Sequence, residues 1–205
     1  KAAQPLHAQL NVGDRSVKVV NTTARAKENL TLETSIYDRF GKQHEKTVKK
    51  ISIPSMDNKQ LFKVFPPSDT TKVFFVKLRL LENNMEISEN FYWLSDNRYN
   101  FRYLNQLKEV QVSMDDESLK DGTIKINLKN EGNTPALWNH LQIYDSKSNE
   151  RILPAFYSDN YFSLLPGESK TVTIDIPAGV REEAADMTVE LSGYNSETRK
   201  IQIMQ

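Results

Sequence analysis

Short stretches of alternating apolar and polar residues, separated by turn residues, recur along the whole chain. In the segment 30–37, Leu30, Leu32 and Ile36 point to one face of an extended strand, and the residues between them point to the other. A period of two is typical of strands with one buried face. We therefore expect seven strands in the first half of the chain, at 6–12, 16–21, 30–38, 45–53, 59–64, 73–81 and 87–94.

The second half of the chain repeats this pattern. In the segment 169–176, Val172, Ile174 and Ile176 are expected to face a core. Residues 181–186 favour one helical turn, which is too short to be stable alone and is interpreted as a crossover connection. Seven strands are predicted here, at 110–115, 123–130, 141–145, 155–158, 169–176, 187–192 and 198–203.

The length of the chain fits two such strand sets. An immunoglobulin-like sandwich takes about 100 residues, and the chain has 205. The predicted fold class is all-β, with two tandem immunoglobulin-like antiparallel β-sandwiches at 1–98 and 109–205. The connector 99–108 contains Tyr99, Phe101 and Tyr103 rather than small polar residues, so we expect a packed connector and not a flexible linker.

Composition narrows the range of functions. The net charge is zero, which argues against a nucleic-acid partner, and no apolar stretch is long enough to predict a membrane span. The absence of cysteine excludes disulfides, thiol catalysis and cysteine–zinc sites. His7, His44 and His140 lie far apart and show no metal-binding spacing, so we predict neither a metal site nor a cofactor.

No catalytic motif emerges from the sequence. The nucleophile elbow, the P-loop and the dinucleotide-binding glycine pattern are all missing. The acidic cluster Asp115-Asp116-Glu117 lacks the alternating ligand spacing of an EF-hand loop, so a solvated turn is favoured over a calcium site. We therefore expect no catalytic residue in this chain.

Aromatic residues are the best candidates for binding. Trp138 is expected at the start of the third strand of the second sandwich, where such folds usually bury a tryptophan, and Trp93 is expected to pack in the first core. The segments 93–99 and 156–161 both place serine, aspartate and asparagine beside aromatic residues. Two interpretations stay open for these segments: two turns that are closed by similar side-chain to main-chain hydrogen bonds, or an Asp-Asn pair that contacts a sugar.

Three segments resemble the region that follows the catalytic barrel in glycoside hydrolase family 2 enzymes of the exo-β-D-glucosaminidase and β-mannosidase type. Residues 1–7, KAAQPLH, resemble the exit from the barrel, although Gln4 stands where a glutamate is usual. Residues 90–94, NFYWL, resemble the end of the first domain after the barrel. Residues 154–168, PAFYSDNYFSLLPGE, resemble the final immunoglobulin-like domain and are the most specific match.

The resemblance implies accessory domains without catalytic residues, because the barrel and its two glutamates would lie outside this sequence. The implied partner is the catalytic barrel of a parent β-glycosidase, with an oligo- or polysaccharide as a further partner and a periplasmic or extracellular location. Two alternatives stay open: a carbohydrate-binding module and a cell-surface adhesion domain. The candidates for contact at the rim of the active site are Tyr157, Asp159, Asn160, Tyr161 and Trp93.

Overall fold

The computed structural model describes residues 4–67, 72–96, 100–118, 123–183 and 186–203. Within these residues the chain is nearly all β, and it divides into two compact units, Lys1–Gln106 and Leu107–Gln205. The boundary predicted between 98 and 99 lies outside the described residues. The segment that we treated as a connector contains a short 3₁₀ helix, Arg102–Gln106, whose Leu104 side chain is buried.

The first unit is a sandwich of two antiparallel sheets. Strands β1, β2 and β5 form one sheet in the order β1-β2-β5, and the other sheet has the order β4-β3-β6-β7. The strand bounds are β1 Leu6–Leu10, β2 Ser16–Asn21, β3 Lys27–Asp38, β4 Gln43–Ile53, β5 Asp57–Lys63, β6 Val73–Glu82 and β7 Met85–Ser95.

The second unit is a sandwich of two four-stranded sheets, with the orders β12-β10-β14-β15 and β11-β13-β9-β8. A short helix, α1 Ala178–Glu183, joins β13 to β14. The strand bounds are β8 Val112–Ser118, β9 Thr123–Asn130, β10 Ala136–Asp145, β11 Phe156–Tyr157, β12 Phe162–Leu164, β13 Ser169–Asp175, β14 Met187–Ser192 and β15 Arg199–Ile203.

Each unit has its own hydrophobic core, built by the alternation described above. Leu30, Leu32 and Ile36 are all buried in the first core, and Val172 and Ile174 are fully buried in the second. The antiparallel sandwich fold predicted from the period of two is therefore confirmed. Separate cores also mean that apolar burial stabilises each sandwich from within.

The turn chemistry follows the sequence as well. Asn83 and Asn84, between β6 and β7, both take positive φ, with values of 52° and 65°. Gly41 takes a φ of 87° in the hairpin loop between β3 and β4. Asparagine and glycine tolerate the left-handed region better than other residues, so these two hairpins close without large strain.

The largest differences between the prediction and the second unit are at β10 and β12, whereas β8 and α1 are displaced by only two or three residues from the predicted bounds. Strand β10 begins at Ala136 and not at residue 141, and strand β12, Phe162–Leu164, was not predicted at all. A strand of three residues is too short to show alternation. Both differences lie in the same region, the edge where β12 pairs with the first half of β10.

Candidate functional site

The connection between β10 and β12 runs along an open edge of β10 and satisfies its main-chain groups one after another. The N–H of Ile152 donates to the carbonyl of Ile143 at 3.0 Å. The N–H of Ile143 donates to the hydroxyl of Tyr157 at 3.1 Å. Burial raises the pKa of this hydroxyl above its usual value.

Asn160 continues this edge toward β12. Its side-chain oxygen accepts from the N–H of Leu141 at 2.9 Å, and its side-chain nitrogen donates to the carbonyl of Leu141 at 3.1 Å. The side chain thus pairs with Leu141 as a neighbouring strand would. The same oxygen accepts from the N–H of Tyr161 at 3.1 Å, which fixes the start of the next turn.

Asp159 is held by a neighbouring strand. One carboxylate oxygen lies 2.8 Å from the ammonium of Lys170 on β13, and both side chains are mostly buried. The other oxygen accepts from the N–H of Asn160 at 2.9 Å. The structure therefore brings the predicted candidates Tyr157, Asp159, Asn160 and Tyr161 onto one loop, where the first three bind protein groups.

Trp138 does not lie in the core, and that expectation is wrong. Its side chain is 53% exposed, and its φ is +54°. Strand β10 uses three steps from Ala136 to Asn139 where β12 uses two, from Leu164 to Phe162. This extra residue makes a β-bulge, which turns Trp138 to solvent between two buried neighbours, Leu137 and Asn139.

Buried polar groups hold the bulge from beneath. The side-chain amide of Asn139 donates to the carbonyls of Ala136 at 2.9 Å and Phe162 at 3.3 Å, and its oxygen accepts from the Ser196 hydroxyl at 2.5 Å. Gly193 packs against the same group, because a Cβ atom added there would lie 2.9 Å from the Asn139 oxygen. A fully satisfied buried network of this kind rigidifies its surroundings.

Three rings gather above this network. Tyr161 is 60% exposed and has a φ of +56°. The ring of His140 stacks on the ring of Tyr161 with centroids 5.2 Å apart and planes 9° apart. Trp138 meets Tyr161 edge-on, at 6.3 Å and 66°. We call Trp138, His140 and Tyr161 the aromatic platform.

A cleft of about 140 Å³ opens beside the platform. His140 and Tyr161 line it on the platform side. Its other walls carry hydrogen-bonding side chains of Gln142, Arg151 and Asn160. The arrangement therefore combines flat aromatic surface with polar groups, which is the mixture that small-molecule sites use.

Trp93, the remaining candidate, lies in the first unit. It is half-buried and meets the fully buried ring of Phe75 edge-on at 6.3 Å. It lines a cleft of about 360 Å³ together with Arg15, Phe65 and Asp96. The guanidinium of Arg15 donates to the carbonyl of Ser95 at 3.0 Å, so the polar wall of this cleft is tied to the strand that carries Trp93.

The sequence does contain a pattern that predicts an exposed Trp138, contrary to the expectation of a core position. Leu141 and Ile143 fix the buried face of β10, and counting back in twos from them places Trp138 and His140 on the other face. The contribution of Tyr161 could not be found in this way, because a turn residue has no strand parity. Its position follows from the hydrogen bonds of Asn160.

Three carboxyl groups of the described residues, those of Asp14, Glu131 and Asp145, have a lowered pKa. In each of the three the largest cause of the shift is a hydrogen bond, from Ser16 to Asp14, from Lys129 to Glu131, and from the main chain of Ser148 to Asp145.

The described residues include no group of three side chains placed to hold a metal ion. None of the described helices has the length and apolar character needed to span a membrane.

Comparison with known proteins identifies relatives of both units. The family model described as the exo-β-D-glucosaminidase Ig-fold domain matches residues 90–196, just over half of the chain. The model described as the mannosidase Ig/CBM-like domain matches residues 13–99. The two matches together cover most of the chain.

Individual relatives are enzymes of the two types that the family models name. The exo-β-D-glucosaminidase of Streptomyces avermitilis is 29% identical, over 96% of this chain and 25% of its own length. The mannosylglycoprotein endo-β-mannosidase of Lilium longiflorum is 26% identical, over 95% of this chain and 27% of its own. The chain thus spans about a quarter of the length of the curated relatives that it matches.

Solved structures agree with the sequence relatives. The exo-chitosanase CsxA of Amycolatopsis orientalis superposes with a TM-score of 0.82 at 26% identity, over 99% of this chain and 27% of that one. The β-D-mannosidase of Dictyoglomus thermophilum shares the fold with a TM-score of 0.67 at 21% identity, over 96% of this chain and 22% of that one. This chain therefore belongs to the family of exo-β-D-glucosaminidase Ig-fold domains, which is part of glycoside hydrolase family 2.

Proposed function

We propose that this chain is a non-catalytic accessory region of a family 2 β-glycosidase and that its two sandwiches pack on the catalytic barrel of that enzyme. One observation carries the proposal: the chain matches an exo-β-D-glucosaminidase over 96% of its own length but over only 25% of the relative. We therefore place the catalytic residues of the parent enzyme in the part of its chain that this segment does not cover.

The carboxyl groups support a non-catalytic role. Glycoside hydrolysis needs one carboxyl group that keeps its proton near neutral pH, through a raised pKa, opposite a second ionised carboxylate. Asp14, in the cleft beside Trp93, has a lowered pKa because Ser16 donates to it. Asp96 in the same cleft forms an ion pair with Lys72 at 3.0 Å.

The proposal extends to the rim of the active site. The loops of a sandwich cluster at its ends, and such loops are where scaffold domains reach a neighbouring site. In the loop Tyr157–Tyr161, Asp159 and Asn160 bind protein groups, whereas the ring of Tyr161 is largely exposed. Tyr161 is thus the member of this loop that we expect to reach toward a substrate.

We also propose a periplasmic or extracellular location for the parent enzyme, because large glycans are met outside the cytoplasm. Fractionation of cells that express the natural gene tests this point. A β-glucosaminide is the first substrate class to examine, followed by a β-mannoside, in the order that the two matching families suggest.

The experiment compares three proteins: the full-length product of the gene, the same product without the segment described here, and this chain alone. Each is assayed with aryl β-D-glucosaminide and aryl β-D-mannoside. We expect hydrolysis by the full-length protein, lower thermal stability and activity after the deletion, and no hydrolysis above background by this chain. Hydrolysis by the chain alone, or an upstream reading frame without a barrel, would contradict the proposal.

A further inference from the structure

The aromatic platform is built on two strained residues. Trp138 and Tyr161 both take left-handed φ values, which large side chains rarely adopt. Backbone strain of this kind concentrates at ligand sites. In both residues the strained backbone places the aromatic ring in solvent, where burial of the ring contributes little to stability.

The platform is also rigid. Asn139 fixes the bulge that carries Trp138, and Asn160 fixes the turn that carries Tyr161, each through hydrogen bonds to main-chain groups. His140 stacks on Tyr161 and limits its rotation. A surface whose side chains are already ordered loses less conformational entropy when a ligand binds.

The chemistry of the surface fits a sugar ring. A pyranose has flat faces of C–H groups and an edge of hydroxyl groups. The rings of Trp138 and Tyr161, inclined at 66°, offer two aromatic walls to the C–H groups. Gln142 and Arg151 line the adjoining cleft, where hydroxyl groups would find donors and acceptors.

From these observations we propose that the aromatic platform, with its adjoining cleft, binds a pyranose ring of a β-linked oligosaccharide. The proposal rests on the proposed function only for the choice of glycan. The sugar contacts are the rings of Trp138, His140 and Tyr161. Asp159 and Asn160 are positioning residues, which hold the loop that carries Tyr161.

The test is a titration of the 205-residue chain with mannotetraose and with chitosan tetramer, followed by NMR of the indole N–H groups. The chain has two tryptophans, so the spectrum has two indole peaks, one from Trp93 and one from Trp138. We expect the Trp138 peak to shift and saturate with at least one of the two sugars while the Trp93 peak stays in place. A small contact area predicts a Kd on the order of 1 mM.

Two variants remove the rings without straining the backbone. Trp138→Gly and Tyr161→Gly each place glycine at a positive φ, which glycine adopts freely. The loss of the indole peak in Trp138→Gly assigns that peak. Tyr161→Gly is expected to weaken binding at least about tenfold, as loss of a central aromatic contact does. Tyr161→Asn, which also tolerates the left-handed region, repeats the measurement if the glycine variant melts earlier.

Phe156→Ala is the matched control. Phe156 is 60% exposed, as Tyr161 is, but it lies on β11 in the opposite sheet of the sandwich. Its removal is expected to leave the affinity unchanged. Equal affinity of the wild type and Tyr161→Gly would overturn the proposal, and so would a Trp138 peak that does not move with either sugar up to about 10 mM.

A rival occupant of the platform is the catalytic barrel of the parent enzyme. Hydroxyl-radical footprinting of the full-length protein without sugar separates the two. Strong labelling of Trp138 and Tyr161, reduced when oligosaccharide is added, supports the sugar site, whereas protection in the absence of sugar overturns it. A parent without glycosidase activity would refute only the proposed function, because the titration uses this chain alone.

Discussion

The side chain of Asn160 bonds to both main-chain groups of Leu141, at 2.9 Å to the N–H and 3.1 Å to the carbonyl. A single asparagine thus replaces a strand neighbour at the edge of β10 where β12 is absent. This pairing explains how a loop can lie against a sheet edge without leaving buried main-chain groups unpaired. It also fixes the turn that carries Tyr161.

Asn160→Ala should therefore destabilise the second sandwich. The N–H and carbonyl of Leu141 would lose their partner, and each lost main-chain hydrogen bond costs about 1 kcal/mol. We expect a decrease of about 1–3 kcal/mol in the free energy of unfolding, measured with urea. Asn133→Ala, at an exposed turn position, is the control and should change the value by less than about 0.5 kcal/mol. An equal effect of the two substitutions would refute this role of Asn160.

In each unit a tyrosine hydroxyl accepts a hydrogen bond from a main-chain N–H of a strand. The N–H of Leu10 donates to Tyr92 and the N–H of Ile143 donates to Tyr157, both at 3.1 Å. Tyr157→Phe removes the acceptor and leaves the N–H of Ile143 without its partner, so we expect a loss of about 1 kcal/mol in the free energy of unfolding. Hydrogen exchange at the Ile143 amide should become faster in the same variant.

Tyr144→Phe is the matched control for this substitution. The Tyr144 hydroxyl donates to the side chain of Gln142 at 2.6 Å, so its removal leaves no main-chain group without a partner. We expect a change below about 0.5 kcal/mol. If Tyr157→Phe were as mild as this control, the hydroxyl would have no structural importance.

The fold could be predicted because period-two alternation is a property of each strand alone. β9 and β14 match the predicted strands at both ends. The start of β10 and the whole of β12 could not be predicted, because β10 turns the apolar Trp138 outward and the polar Asn139 inward, and because three residues are too few to show a pattern. Their pairing depends on side chains of Asn139 and Asn160 that come from elsewhere in the unit.

The candidate site could likewise be predicted only in part. The loop from Tyr157 to Tyr161 could be found because its residue types suggested turns and sugar contacts. The separate roles of these residues could not be found, since Tyr157, Asp159 and Asn160 bond to protein groups whereas the ring of Tyr161 stays largely exposed. Trp138 was assigned to the core by analogy with other sandwiches, although strand parity pointed to the opposite face.

The half-buried tyrosines Tyr92 and Tyr157 predict a loss of stability at alkaline pH. Burial raises the pKa of Tyr92 and of Tyr157 above the usual 10.0, because the phenolate is poorly solvated there. In the unfolded chain these groups ionise at the usual value. Their stabilising contribution is therefore complete below pH 10 and is lost as the pH rises through the folded-state pKa.

The measurement is the free energy of unfolding from about pH 9 to about pH 11 in the wild type and in Tyr92→Phe/Tyr157→Phe. Other tyrosines and lysines titrate in both proteins, so the difference between the curves isolates the two hydroxyls. We expect a shallower alkaline decline in the double variant. Parallel curves would show that these phenols ionise equally in the folded and unfolded states.

Gly193 should be irreplaceable beneath the aromatic platform. A Cβ atom at this position would lie 2.9 Å from the side-chain oxygens of Asn139 and Ser196 and 3.0 Å from the carbonyl of Leu137. The carbonyl belongs to the bulge and cannot rotate away, so Gly193→Ala must displace the strand that carries Trp138. We expect the free energy of unfolding to fall by about 1–3 kcal/mol, as overpacking generally costs.

Gly179→Ala makes the same chemical change with the opposite expected sign. Gly179 lies in α1, and an added Cβ atom there meets nothing within 4 Å. Alanine in a helix is favoured over glycine by about 0.5–1 kcal/mol, so this variant should unfold at higher urea concentration than the wild type. If Gly193→Ala were also stabilising, the Asn139–Ser196 network could not be the rigid base of the bulge. The oligosaccharide titration of Gly193→Ala then serves as a second readout, because displacement of Trp138 should weaken binding even where the fold survives.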